Sequence, residues 1–122
     1  MDIATRQAAG FGFFVICDDI GLAGFATYSQ FRNGPGYAHT MEHSIVLDQR
    51  VHGLGIGRDL MDRLCDHARD RGVHSLWAGV SGENPTGVAF HERVGFQYIA
   101  TLPQVGYKFG RWMDLVLMQK ML

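Results

Sequence analysis

The chain has 122 residues, 47% of them hydrophobic and 19% charged, with a formal net charge of -1. That length suits a single domain over residues 1–122 with one core, and near-neutrality argues against nucleic-acid binding by bulk electrostatics. No apolar run approaches the roughly 20 residues needed to cross a bilayer, and MDIATRQAAG lacks the basic-then-apolar order of a secretory signal, so a cytoplasmic protein with no membrane partner is expected.

In chain order, FGFFVIC (11–17) is β-branched and aromatic, DDIG supplies turn residues, and LAGFATYSQF (22–31) alternates loosely, which together read as a hairpin. RNGPG (32–36) is a loop before a third strand, TMEHSIVL (40–47). From Ile56, the apolar residues Leu60, Met61, Leu64, Cys65 and Ala68 recur at helical spacing, with Arg58, Asp59, Asp62, Arg63, Asp66 and Arg69 on the other face and Gly72 as the terminator. HSLWAGVS (74–81) follows as a strand parallel to the third, so strand, helix and strand form a crossover. A shorter helix then starts after Asn84 with Pro85 at its first position and closes at Gly95. FQYIATLPQV (96–105) and RWMDLVLMQKML (111–122) make a final hairpin joined by GYKFG. This order predicts an α/β (α+β) domain with a mixed sheet and a central crossover helix.

The crossover helix is preceded by VHGLGIGRDLM, in which Gly53, Gly55 and Gly57 alternate. Convergent backbone N–H groups and the positive end of the helix dipole suit a phosphate or diphosphate there. A P-loop is excluded because no Lys-Ser or Lys-Thr follows the last glycine, and GxGxG followed by Arg58 fits the dinucleotide fingerprint badly. A glycine turn without a ligand is the bland alternative. The histidines have no metal-ligand spacing, so no metal is expected. Cys17 and Cys65, on apolar stretches, read as buried free thiols, and His67 and His74 as solvated.

SIVLDQRVHGLGIGRDLM, with GENPTGVAFHERVGF downstream, resembles the GNAT superfamily of N-acetyltransferases, whose Q/R-x-x-G-x-G/A loop cradles the diphosphate of acetyl-CoA. In that register His52, Gly55 and Gly57 take the first, fourth and sixth places, with histidine replacing the lead residue and Arg50 and Arg58 near enough in sequence to add positive charge. TMEHSIVL and LPQVGYKFGRWMDLVLMQ narrow the resemblance to the phosphinothricin and methionine sulfoximine N-acetyltransferase branch. Its members begin with a strand and two helices, in whose place this chain has MDIATRQAA, so a shortened GNAT-like fold is expected.

The resemblance implies acetyl-CoA as cosubstrate, held by His52, Gly53, Leu54, Gly55, Ile56, Gly57 and Arg58 at its diphosphate, by Ile45, Val46 and Leu47 along its arm, and by Asn84, a residue equally suited to capping the second helix. Glu42 is the implied base for the incoming amine, or else an ordinary strand glutamate. His91 is an acid for the departing thiol, a second base paired with Glu42, or a structural histidine. His43 reads as structural, since strand alternation turns it away from Glu42. Tyr37, Lys108, Arg111 and Trp112 resemble residues bordering the acceptor, although the last three also suit an exposed hairpin tip. The implied partner is a small amine or amino-acid analogue, and the implied assembly a homodimer. Ala38, where relatives commonly carry arginine, and the short N-terminus leave a second possibility, an acetyl-CoA-binding or dimerising module without turnover.

Overall fold

The structure, a computed structural model, describes residues 2–8 and 11–122, with side chains described from residue 12 onward. The elements are β1 (Asp2–Ala8), β2 (Phe11–Cys17), β3 (Leu22–Gln30), β4 (Thr40–Leu47), α1 (Ile56–Asp70), β5 (Ser75–Ser81), α2 (Pro85–Arg93), β6 (Gln97–Lys108) and β7 (Arg111–Met121), with short 3-10 turns at Pro35–Tyr37 and Gln49–Val51. The strands form a seven-stranded sheet in the order β1-β2-β3-β4-β5-β7-β6. All neighbours pair antiparallel except β4 and β5, which the α1 crossover makes parallel.

The expected α/β architecture is present, with one addition. No strand was expected before Phe11, yet β1 pairs along β2 at the sheet edge, from Asp2 opposite Cys17 to Ala8 opposite Phe11. Met1, Ala9 and Gly10 lie outside the described residues. There are two further differences: Cys17 is exposed, not buried, whereas Cys65 on α1 is buried as expected, and β6 runs on to Lys108, so that Phe109 and Gly110, both at positive φ, make the hairpin turn.

The stripe on α1 folds as its spacing demands. Leu60, Met61, Leu64, Cys65 and Ala68 are all buried, against Phe14 and Ile16 of β2 and Ala26 and Tyr28 of β3 in one core cluster that also takes Leu76, Ala78, Val116 and Met118. Each large aliphatic side chain removed from water there stabilises the fold by about 1.5–3 kcal/mol. The helix ends where Gly72, at φ 80, lets Val73 N–H reach Ala68 O at 3.0 Å. His67 is held rather than solvated: its Nδ1 lies 2.7 Å from the Tyr28 hydroxyl, and Phe14 meets its ring edge-on.

Candidate active site

Parallel pairing between β4 and β5 covers only Thr40–Ser75, Met41–Leu76 and Glu42–Trp77. Beyond it β4 stays paired to β3 through Leu47 and β5 to β7 through Ser81, so the two strands splay and the near edge of β4 has no strand to bond. The opening is a cleft of about 730 Å³, within the range of small-molecule sites. Its walls are residues 43–47 of β4 and 78–81 of β5, its mouth is the glycine turn and first turn of α1, and its far side is α2 from Asn84.

The glycines serve different ends. Gly53 and Gly55 have φ of 78 and 77, left-handed values that a side chain rarely adopts, with open space where a Cβ would stand. Gly57 has ordinary helical backbone, but a Cβ there would lie 2.8 Å from the Phe90 ring and 3.1 Å from Leu47 Cδ1. Gly55 is the N-cap of α1 and no side chain among the described residues caps that end, so the first N–H groups of the helix are left for another acceptor at the cleft.

His52, Gly53, Gly55, Ile56, Gly57 and Arg58 line the cleft together with Ile45, Val46 and Leu47. Leu54 does not; its side chain is 62% exposed, turned outward between the two positive-φ glycines. The imidazole Nε2 of His52 lies 3.1 Å from Leu47 O and ties the turn to the end of β4. Arg50 is not available to the cleft, because Asp18 (2.8 Å), Asp48 (3.1 Å) and the carbonyls of Gly21 and Leu22 take its guanidinium. Asn84 caps α2, its Oδ1 accepting from Gly87 N–H at 3.0 Å, and the residue also lines the cleft.

Glu42 and His91 do not meet. Glu42 shares a sheet face with its register neighbours Ser29 and Trp77, and alternation puts His43 on the opposite, helix-covered face. His91 therefore pairs with His43, Nε2 to Nε2 at 3.0 Å, and a base pair of Glu42 with His91 is ruled out by this register. The Nδ1 of His91 lies 2.7 Å from Gly87 O. A carbonyl only accepts, so that nitrogen carries the proton, His91 Nε2 is the bare acceptor, and His43 Nε2–H donates to it. His43 Nδ1 is then a buried lone pair without a partner among the described residues. Desolvation, reinforced by the neighbouring ring, lowers the His43 pKa to about 3, and desolvation lowers that of His91 as well.

Glu42 is half-buried, desolvation raises its pKa, and it has no hydrogen-bond or ion-pair partner among the described residues. Glu42 is not among the residues that line the cleft; its nearest approach is at Gly79, which does line it and where a Cβ would stand 3.1 Å from Glu42 Oε2, so the absence of a side chain at 79 leaves room beside the carboxylate. Neither Tyr37 nor the hairpin residues line the cleft. Tyr37 sits in the β3–β4 loop with Arg32 5.6 Å from its ring, Lys108 lies over Phe109, and Arg111 is bound to Glu83 at 2.6 Å. Trp112, edge-on to Tyr107, lines a separate concavity of about 200 Å³ with Gly82, Glu83, Met113 and Asp114. Sequence reasoning missed Gly79, His43 as the partner of His91, and Arg93, which lines the cleft at the end of α2. Strand alternation was a usable signal for Gly79, two places beyond Trp77; the other two lie on elements joined only by the tertiary fold.

The family model for the acetyltransferase (GNAT) family matches residues 2–96. The chain is 40% identical over 115 residues to the L-amino acid N-acyltransferase MnaT of Escherichia coli (strain K12), and 38% identical over 115 residues to the L-methionine sulfoximine/L-methionine sulfone acetyltransferase of Salmonella typhimurium. Each alignment covers 94% of this chain and 67% of the relative. Among solved structures, a GNAT superfamily phosphinothricin acetyltransferase from Sinorhizobium meliloti in complex with acetyl-CoA superposes with a TM-score of 0.85 at 33% identity, over 93% of this chain and 62% of that one. With its family match, these relatives and the same sheet architecture, the chain belongs to the acetyltransferase (GNAT) family and is an acyltransferase of the N-acetyltransferase kind.

Proposed function

We propose that the chain moves an acetyl group from acetyl-CoA to the primary amine of a small amino-acid-like acceptor, of the methionine sulfoximine or phosphinothricin kind, by direct attack in a ternary complex. The observation that carries this reading is the early end of the β4–β5 ladder in front of an uncapped helix N-terminus. The N–H groups from Gly53 to Arg58 hold the diphosphate. The amide-bearing arm then lies along the free edge of β4 at Ile45, Val46 and Leu47, as an added strand would. A main-chain N–H of that edge polarises the thioester carbonyl as charge builds on its oxygen.

The acceptor approaches from the other sheet face, past Gly79, where Glu42 stands. Alkylammonium groups titrate near 10, so the amine must lose a proton before it attacks. A desolvated carboxylate with no cation to hold it is a stronger base than an exposed one. The amine nitrogen bonds to the thioester carbon and the C–S bond breaks. Of the two protons the ammonium sheds, one passes to Glu42 and on to solvent and the other to the departing sulfur. His91, with both nitrogens engaged, holds the cleft wall in place.

The test is free-thiol release from acetyl-CoA with methionine sulfoximine, methionine sulfone and phosphinothricin as acceptors. Turnover with at least one is expected, and Glu42→Gln is expected to lower it by about 10²–10⁴-fold, most at low pH where free amine is scarcest. An unchanged low-pH rate removes Glu42 from the base role. No turnover with bound coenzyme A favours the second reading, a binding or dimerising module. That reading draws on the sheet face away from the helices, which carries the stacked pairs Phe13–Phe25 and Phe31–Trp77, and on the β6–β7 hairpin, where Tyr107, Phe109 and Trp112 are exposed. Either function is compatible with a homodimer through that hairpin, which sedimentation at varied concentration tests.

A further inference from the structure

The cleft has a lopsided charge. Among its described lining residues are two arginines, Arg58 and Arg93, and no aspartate or glutamate, in a chain with 12 acidic residues against 11 lysines and arginines. Arg58 stands in the first turn of α1 and Arg93 is the last residue of α2. The Arg58 Nη2 donates to the Arg93 carbonyl at 3.0 Å, so its guanidinium crosses the cleft mouth to the base of the second arginine. Arg50, Arg69 and Arg111 are all engaged by carboxylates, whereas neither Arg58 nor Arg93 has an ion-pair partner among the described residues. Two guanidinium groups without a carboxylate partner thus stand beside a helix start whose backbone N–H groups can themselves hold a diphosphate, which leaves the guanidinium pair for a further phosphate.

We propose that Arg58 and Arg93 form a phosphomonoester subsite that reads the 3′-phosphate of coenzyme A and makes the protein prefer coenzyme A over its dephospho form. This rests on the acetyl-CoA reading above and adds Arg93 and the chemical group it recognises. A phosphomonoester is nearly dianionic at neutral pH, and guanidinium forks match its oxygens in charge and geometry. Both arginines lie at the mouth of the cleft, so the contact is partly screened and of moderate strength.

The experiment is calorimetric titration of coenzyme A and 3′-dephospho-coenzyme A into the wild-type chain, Arg93→Gln and Arg58→Gln/Arg93→Gln, at low and physiological salt, with circular dichroism as the folding control. The wild type is expected to bind coenzyme A about tenfold more tightly than the dephospho form at low salt, with the gap narrowing as salt rises. Arg93→Gln is expected to shrink the ratio severalfold and the double variant to bring it near one, while Arg93→Gln leaves dephospho-coenzyme A affinity in place. A wild-type ratio near one, a ratio unmoved by the substitutions, or equal weakening of both nucleotides in Arg93→Gln overturns the subsite while leaving acetyl-CoA binding intact. Binding of neither nucleotide to the wild type overturns the acetyl-CoA reading and the subsite with it.

Discussion

Acidification from pH 7 to pH 4.5 is expected to weaken the fold through the buried histidine pair. His43 is 5% exposed and His91 6%; a proton added to His91 closes the acceptor lone pair of their mutual hydrogen bond, and one added to His43 puts a charge on its buried, unpartnered Nδ1. In the unfolded chain His43 takes up a proton as the pH falls through its ordinary 6.5, whereas in the fold it does so only near 3. The stabilisation is therefore complete above pH 6.5 and is lost progressively as the pH falls toward 3, at about 1.4 kcal/mol per pH unit, or about 3 kcal/mol by pH 4.5. His91 and His67, also lowered, act in the same direction. Glu42, whose pKa is raised, opposes them, and Asp18, held low by Arg50, gives up its contribution only below the usual carboxylate range, outside this window. With a urea m-value of roughly 1–3 kcal/mol/M, the unfolding midpoint is expected to fall by about 1–3 M between the two pH values. In His43→Leu/His91→Phe most of that shift should vanish. A wild-type midpoint that does not move, or a double variant that shifts as much as the wild type, refutes the neutral buried pair.

Two glycine substitutions separate packing from binding. Gly24→Ala would place a Cβ 2.5 Å from the Val46 carbonyl oxygen and 3.2 Å from Leu47 Cα, both backbone, so β4 itself has to move; a loss of about 1–3 kcal/mol and a melting temperature lower by several degrees in a thermal scan are expected. Gly57→Ala meets the Phe90 ring instead, a side chain that can turn, so a loss below about 1 kcal/mol is expected, with the damage appearing as weaker coenzyme A binding by calorimetry.

What the sequence made legible was local. The spacing of Leu60, Leu64 and Ala68 marks one face of one helix, and the glycines at 53 and 55 mark a turn that other residues fill badly, so α1 and the loop before it could be read from a short window. Hairpins β2–β3 and β6–β7 were legible for the same reason. β1 was not, because DIATRQA mixes alternating polar residues with few β-branched ones and is a strand through its neighbour's hydrogen bonds. Side-chain partners across the fold were also beyond reach. His91 finds His43 across 48 positions and Arg58 reaches the Arg93 carbonyl across 35, both through the crossover that sets β5 and α2 beside β4 and α1, and Arg50 finds Asp18 across 32 because β4 pairs with β3 and so ends beside the β2–β3 turn.

The three-residue ladder between β4 and β5 divides the molecule mechanically. On one side stand β1 to β4 with α1, on the other β5 to β7 with α2, and above the ladder the gap is spanned by side chains: His43 to His91, Arg58 to the Arg93 carbonyl, and Phe90 against Gly57. These three bridges act as spacers that fix the aperture, two of them on the α1–α2 side and one rooted in β4. Shortening a spacer would let the halves pinch together, and lengthening one would pry them apart, so the gauge of the slot is adjustable at His91, Arg58 and Phe90 with the sheet itself untouched.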